Sequence, residues 1–245
     1  IIEGVFMKMK IVIVLAFFSF LVFISYLQTN KKEINYTILG NKELFSNNLK
    51  SVNFTDLVYK DLDDKNLIGF YSKDFIRKDI RTIDVINDID NNISIDNITI
   101  QNILKRTNIL VLSIGNNEIS YKLSKIDKDI NNDSEIYKYL DEVVNDVSVL
   151  IDKIKKLNEC QIIVLGYYND TGNIENDKYY SYINQKMLNK FNSKNIDYIN
   201  LFGILNKNSD YLTKTNPTYI TNEGNMAIYS KIISKIDELH LHNIN

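Results

Sequence analysis

The 245-residue sequence has no tryptophan, and it has cysteine and proline once each, as Cys160 and Pro217. One thiol can make neither an internal disulfide nor a cysteine zinc site. Cys160 directly precedes an apolar run and reads as a buried structural thiol, not as a nucleophile. Histidine is nearly missing: His240 and His242 are the only two, and both lie close to the C-terminus. An excess of either charge is also lacking. Lys and Arg total 29 against 31 Asp and Glu, interspersed along the chain, which excludes a dense basic stripe and argues against a nucleic-acid partner. No Gly-x-Gly-x-x-Gly or P-loop occurs. The carboxylates of Asp61–Asp64 and Asp84–Asp96 lack calcium-loop spacing with its central glycine. Neither a cofactor nor a metal is expected.

What is present is ordinary for a folded domain: 44% hydrophobic and 24% charged residues. At the N-terminus, Ile11–Leu27 forms an apolar run of about 17 residues, at the short end of what spans a bilayer. Lysines flank it at positions 8, 10, 31 and 32. No small-x-small cleavage site follows, so the segment reads as an uncleaved signal anchor. The expected organisation is a short cytoplasmic segment over residues 1–10, a transmembrane anchor over 11–27, a linker over 28–33 and one domain over 34–245. The expected location is the cell membrane, single-pass, with the domain outside.

Within the domain, short apolar runs alternate with helical periodicity. Ile34–Leu39, Asn66–Tyr71, Asn108–Ile114, Gln161–Leu165 and Ile196–Leu201 read as strands. Helices are expected within Glu43–Leu62 and over Asp79–Ile89, Thr99–Lys105, Ser134–Leu157, Asp177–Asn192 and Asn222–Leu239. Ser134 and Thr221 are the expected N-caps of the two longest. Tyr137, Leu140, Val144, Val147, Ile151 and Ile154 make an inner stripe. The alternation predicts an α/β fold, a three-layer αβα sandwich around a mainly parallel five-stranded sheet. Ligands of such sheets bind beyond the carboxyl ends of the strands.

Those ends carry a recognisable constellation. Ser113-Ile114-Gly115-Asn116-Asn117-Glu118 leaves the third strand, Ile38-Leu39-Gly40-Asn41-Lys42 the first, and Asn216-Pro217 stands shortly before Gly224 and the closing helix. In this order the segments resemble conserved blocks of SGNH (GDSL-type) hydrolases, across about residues 34–239. The resemblance implies that Gly115 permits a tight turn and that the Asn117 amide donates to a developing oxyanion. It also marks Gly40 and Gly115 as cleft residues. Glu118 stands where the family usually has Asp.

The departures fall on the chemistry. Lys42 occupies the serine position, Asn216 the histidine position and Thr213 the position of the acid; aligning on Gly224 instead brings Thr221 near the base. The block-two glycine has no counterpart in Ser72–Ile80. Serine acyl transfer needs an alcohol, a base to take its proton and donors for the oxyanion. No catalytic set is therefore intact, and the expected role is a non-catalytic binding or scaffold domain for a small-molecule, lipid or glycan ligand. The competing reading is an active ester or acyl hydrolase, with Lys42 as base or nucleophile and Ser46 or Ser72 supplying a hydroxyl. A third is an unrelated flavodoxin-like domain. Tyr167, Tyr168 and Asn169 are either pocket residues or surface packing.

Overall fold

The computed structural model describes residues 15–20, 33–41, 53–125, 133–191, 196–216 and 219–242. The chain divides into two units, Ile1–Glu33 and Ile34–Asn245. In the first, residues 15–20 are helical with exposed side chains, and the rest of the expected anchor lies outside the described residues. Among the described residues, no helix is long and apolar enough to cross a membrane.

The second unit is an α/β domain. Its strands are β1 (Ile34–Asn41), β2 (Ile68–Ser72), β3 (Ile76–Arg77), β4 (Ser94–Ile95), β5 (Ile98–Thr99), β6 (Ile109–Ser113), β7 (Gln161–Leu165) and β8 (Ile196–Ile199). The helices are α1 (Phe54–Asp64), α2 (Thr82–Asp90), α3 (Ile100–Arg106), α4 (Asn116–Lys125), α5 (Asp133–Leu157), α6 (Asp177–Phe191) and α7 (Asn222–His242). The main sheet runs β2-β1-β6-β7-β8, with every pair parallel. These are the five strands expected from the apolar runs. The sheet has a sixth member that the sequence reading missed: β3, two residues long, pairs with the end of β1. A separate hairpin, β4–β5, precedes α3.

Period-two alternation sorts the side chains between two cores. Ile34, Tyr36 and Ile38 of β1, Ile109 and Val111 of β6, and Ile163 and Leu165 of β7 pack under α1 and α7. Leu39, Leu110, Leu112, Ile162 and Val164 face α2, α3, α5 and α6. Eight apolar side chains of α5 are buried, each worth ~1.5–3 kcal/mol relative to exposure. They include five of the six stripe residues; Tyr137 is partly buried and packs its ring on Tyr179 and Tyr182.

Two cap assignments come out differently. Thr221 caps α7, accepting from the Gly224 N–H at 3.2 Å. Ser134 does not cap α5, because the helix already includes Asp133.

Candidate functional site

The strand order reverses between β1 and β6. From β1 the chain crosses to β2 on one side, and it later returns to β6 on the other. Connections that diverge in this way leave a crevice at the carboxyl ends of the two strands. Gly40 and Ser113 are register partners at that point. Gly40 has φ +129°, and a Cβ there would lie 1.8 Å from the Ser113 carbonyl oxygen. Only glycine allows β1 to stay beside β6 at the mouth of the crevice. Asn41, buried, follows and pairs in register with Arg77 of β3. Lys42 and Ser46 lie outside the described residues.

On the β6 side, Gly115 turns the chain at φ +96°, and α4 begins at once with Asn116. The sequence reading treated this stretch as a turn and missed the helix. Asn117 therefore sits in the first helical turn. Its amide nitrogen Nδ2 is buried and makes no hydrogen bond. A buried unsatisfied donor costs ~1–3 kcal/mol, and such groups are rare enough to call for an explanation.

The residues on either side of Asn117 are fully engaged. Asn116 donates through Nδ2 to Asp170 Oδ2 at 2.8 Å, and its Oδ1 accepts the Tyr168 N–H at 3.4 Å. The Glu118 carboxylate accepts Thr82 Oγ1 at 2.9 Å and the Thr82 N–H at 3.3 Å, so it caps α2. Burial raises the Glu118 pKa above the usual carboxylate range, and the Thr82 bonds oppose that rise. Glu118 is thus a structural cap facing the α2 layer.

Tyr167, Tyr168 and Asn169, which follow β7, are all buried. They are interior packing, not surface. Asn169 and Asn206 exchange reciprocal backbone–side-chain bonds at 2.9 and 3.0 Å, fixing the loop after β7. Asp170, which the sequence reading passed over, gathers Ser120, Tyr180 and Asn116 around one carboxylate. Its pKa is raised by burial, with these donors pulling it back. An Asn-Asp pair after an apolar strand was the available signal, but nothing local names its partners.

The positions matched to the acid and the base close on each other. Thr213 Oγ1 donates to the Asn216 carbonyl at 2.5 Å, and the Tyr219 N–H donates to the same oxygen at 3.0 Å. Thr213 N–H in turn donates to Tyr219 O at 2.9 Å. The Thr213 hydroxyl is therefore spent on a turn and does not orient a base. Thr221, the other candidate, donates through Oγ1 to Asp210 O at 2.7 Å. Ser72, proposed as a substitute alcohol, is buried and donates to Asp74 Oδ2 at 2.8 Å, with no imidazole to take its proton. The turn reaches the β1 side through Asn225, whose Oδ1 accepts the Phe54 N–H at 3.1 Å.

Neither histidine can serve these groups. The α7 helix runs back along the sheet: Lys235 pairs with Asp197 at the start of β8, and Asp237 with Lys65 just before β2. His240 lies 18 residues beyond the first residue of α7, about 27 Å along the axis at 1.5 Å per residue. Among the described residues, no group of three or more His, Cys, Asp or Glu is placed to hold a metal ion.

No protein-family model and no curated protein matches the sequence. Solved structures do match by shape. A lipase from a goat rumen metagenome aligns with a TM-score of 0.66 at 17% identity, over 81% of this chain and 95% of that one. A lipolytic G-D-S-L family member from Veillonella parvula aligns at 0.57 and 11% identity, over 81% and 96%. A carbohydrate esterase family 3 protein from Talaromyces cellulolyticus aligns at 0.55 and 12% identity, over 85% and 99%. With the switch point at Gly40 and Ser113 and the Gly115–Asn117 turn beside it, the chain has the fold of the SGNH/GDSL hydrolases.

Proposed function

We propose that this chain is a membrane-anchored SGNH-like domain that binds a ligand in the strand-end crevice without turning it over. The observation that carries the proposal is the place of both histidine positions in the last turn of α7. Both histidines lie near the far end of α7, and the residue matched to the base is an asparagine held in a closed turn. An amide cannot take and return a proton near neutral pH, and losing base and alcohol together leaves only the residual effect of binding.

The Asn117 amide supports binding over a purely structural role. It is a buried donor with no acceptor among the described residues, so a ligand oxygen would satisfy it. The ligand classes that fit are a small molecule, lipid or glycan carrying a carbonyl, carboxylate or hydroxyl oxygen. The same amide favours the second reading, an active hydrolase with Lys42 in a catalytic role.

The deciding assay is hydrolysis of p-nitrophenyl acetate by the purified chain. We expect the rate to match that of the denatured protein. Turnover that disappears in Lys42→Ala or Ser46→Ala would establish the hydrolase reading instead. The anchor is tested by fractionation: the chain should remain in the membrane pellet after a carbonate wash and leave it when residues 11–27 are deleted.

A further inference from the structure

The α4 helix is poorly held by apolar packing. Of its ten residues only Ile119 is buried. Yet it carries the Asn117 amide, and a rotation of about 20° around its axis would swing a side-chain tip by roughly 2 Å, given the helix radius plus the reach of the side chain. A shift of that size is enough to lose an aligned hydrogen bond. Polar tethers hold the helix instead, and they come from three directions.

Asp170 is the centre of the first. Its Oδ1 accepts Ser120 Oγ at 2.6 Å and Tyr180 OH at 3.1 Å, and its Oδ2 accepts Asn116 Nδ2 at 2.8 Å. Asn116 and Ser120 are four apart and share one face of α4. One carboxylate thus grips two successive turns, while Tyr180 braces it from α6. Asn116 Oδ1 also accepts the Tyr168 N–H, which joins the helix to the loop after β7. The second tether is the Glu118 carboxylate on Thr82 of α2, and the third is Tyr139 OH of α5 donating to Glu118 O at 3.3 Å. Asn117 lies between the two tethered residues.

We propose that Asp170 is a positioning residue which, through Asn116, sets the direction of the Asn117 amide. The inference rests on the binding reading for its purpose, since a fixed donor matters only where a ligand oxygen meets it. Its geometry is independent of that reading. Asp170 touches no reacting atom; it acts through the helix it holds.

The test uses the full chain labelled with ¹⁵N-asparagine, with the Asn117 side-chain signal identified by its loss in Asn117→Asp. In Asp170→Leu the Asn116 amide loses its acceptor, and the Asn117 NH2 should exchange with solvent about tenfold faster. The swap Asn116→Asp with Asp170→Asn keeps a donor–acceptor pair and should hold the exchange rate to within roughly twofold of the original. Tyr180→Phe removes a bond to Asp170 and one to Ser120 Oγ, each at 3.1 Å, but leaves the Asn116 link intact. It should lower stability to urea while leaving the Asn117 signal in place, which separates positioning from general support. The proposal is overturned if Asp170→Leu leaves Asn117 unchanged, if the swap fails to hold it at the original rate, or if Tyr180→Phe disturbs it equally. Should Asp170→Leu not fold, Asn116→Ala cuts the link to Asp170 together with the Tyr168 contact, and an unchanged Asn117 signal there overturns it. No ester or ligand enters the measurement. A chain found to hydrolyse esters would therefore sink the binding reading alone, and an unmoved Asn117 would sink this one alone.

Discussion

Replacing Asn117 with alanine should make the protein more stable, against the usual direction of substitutions in folded chains. The Nδ2 group is buried and makes no hydrogen bond, which costs ~1–3 kcal/mol of desolvation. Among the described residues, Nδ2 forms no bond that truncation would break. Alanine is also the better helix former, by up to about 0.6 kcal/mol. Against these stands the lost packing of one small side chain, comparable to a methylene at about 0.8 kcal/mol. The net expectation is a gain of about 1–2 kcal/mol. For a domain of this size that is a rise in melting temperature of roughly 2–8 °C. Equilibrium unfolding in urea, with the slope unchanged, measures it directly. If Asn117→Ala is destabilising by even about 0.5 kcal/mol, the amide has an internal partner after all. The case for a donor kept open for a ligand then falls with it.

Three further outcomes follow from the geometry. Gly40→Ala should destabilise by about 3–5 kcal/mol, combining a disfavoured φ with a Cβ driven into the Ser113 carbonyl, and a loss under about 1 kcal/mol in urea would refute the close approach. Glu118 gives a pH signature. Its folded pKa is raised by burial, so its stabilising contribution is fully present below the ordinary value of 4.5 and is lost as pH rises through the raised one. Wild type should therefore gain on Glu118→Gln as pH falls from 7 toward 4.5, and an opposite slope in paired unfolding curves would contradict the burial. Asn225→Leu strips the acceptor from Phe54 N–H and two donors from the turn before α7; we expect a loss of about 2–4 kcal/mol by urea unfolding, and near-neutrality would show that α1 and α7 are joined by packing alone.

The five long strands were legible because a sheet covered on both faces demands continuous apolar runs, and NILVLSI and QIIVL can hardly be anything else. The closing helix was legible from Thr221 and Glu223 at its start. The α4 helix was not: NNEISYKLSK buries one residue, so it has no apolar stripe to betray its period. The two-residue β3 and the β4–β5 hairpin are too short to show alternation. Gly115 was read as permitting a tight turn and has φ +96°, but the open amide of Asn117 was invisible, because satisfaction of a donor depends on residues far away in sequence. Asp170 shows the same limit from the other side, since its partners lie 10 to 54 positions off. Thr213 and Asn216 were placed by a match to neighbouring Pro217, and only coordinates reveal that the Thr213 hydroxyl is spent on the Asn216 carbonyl.

The divergence of the chain on either side of β1 has a consequence that outlasts any reaction. The gap there is made by the order in which strands are laid down. A lineage could exchange its alcohol and its imidazole for other groups and still inherit a place for a guest molecule. Architecture of this kind makes loss of turnover and loss of recognition separate evolutionary events.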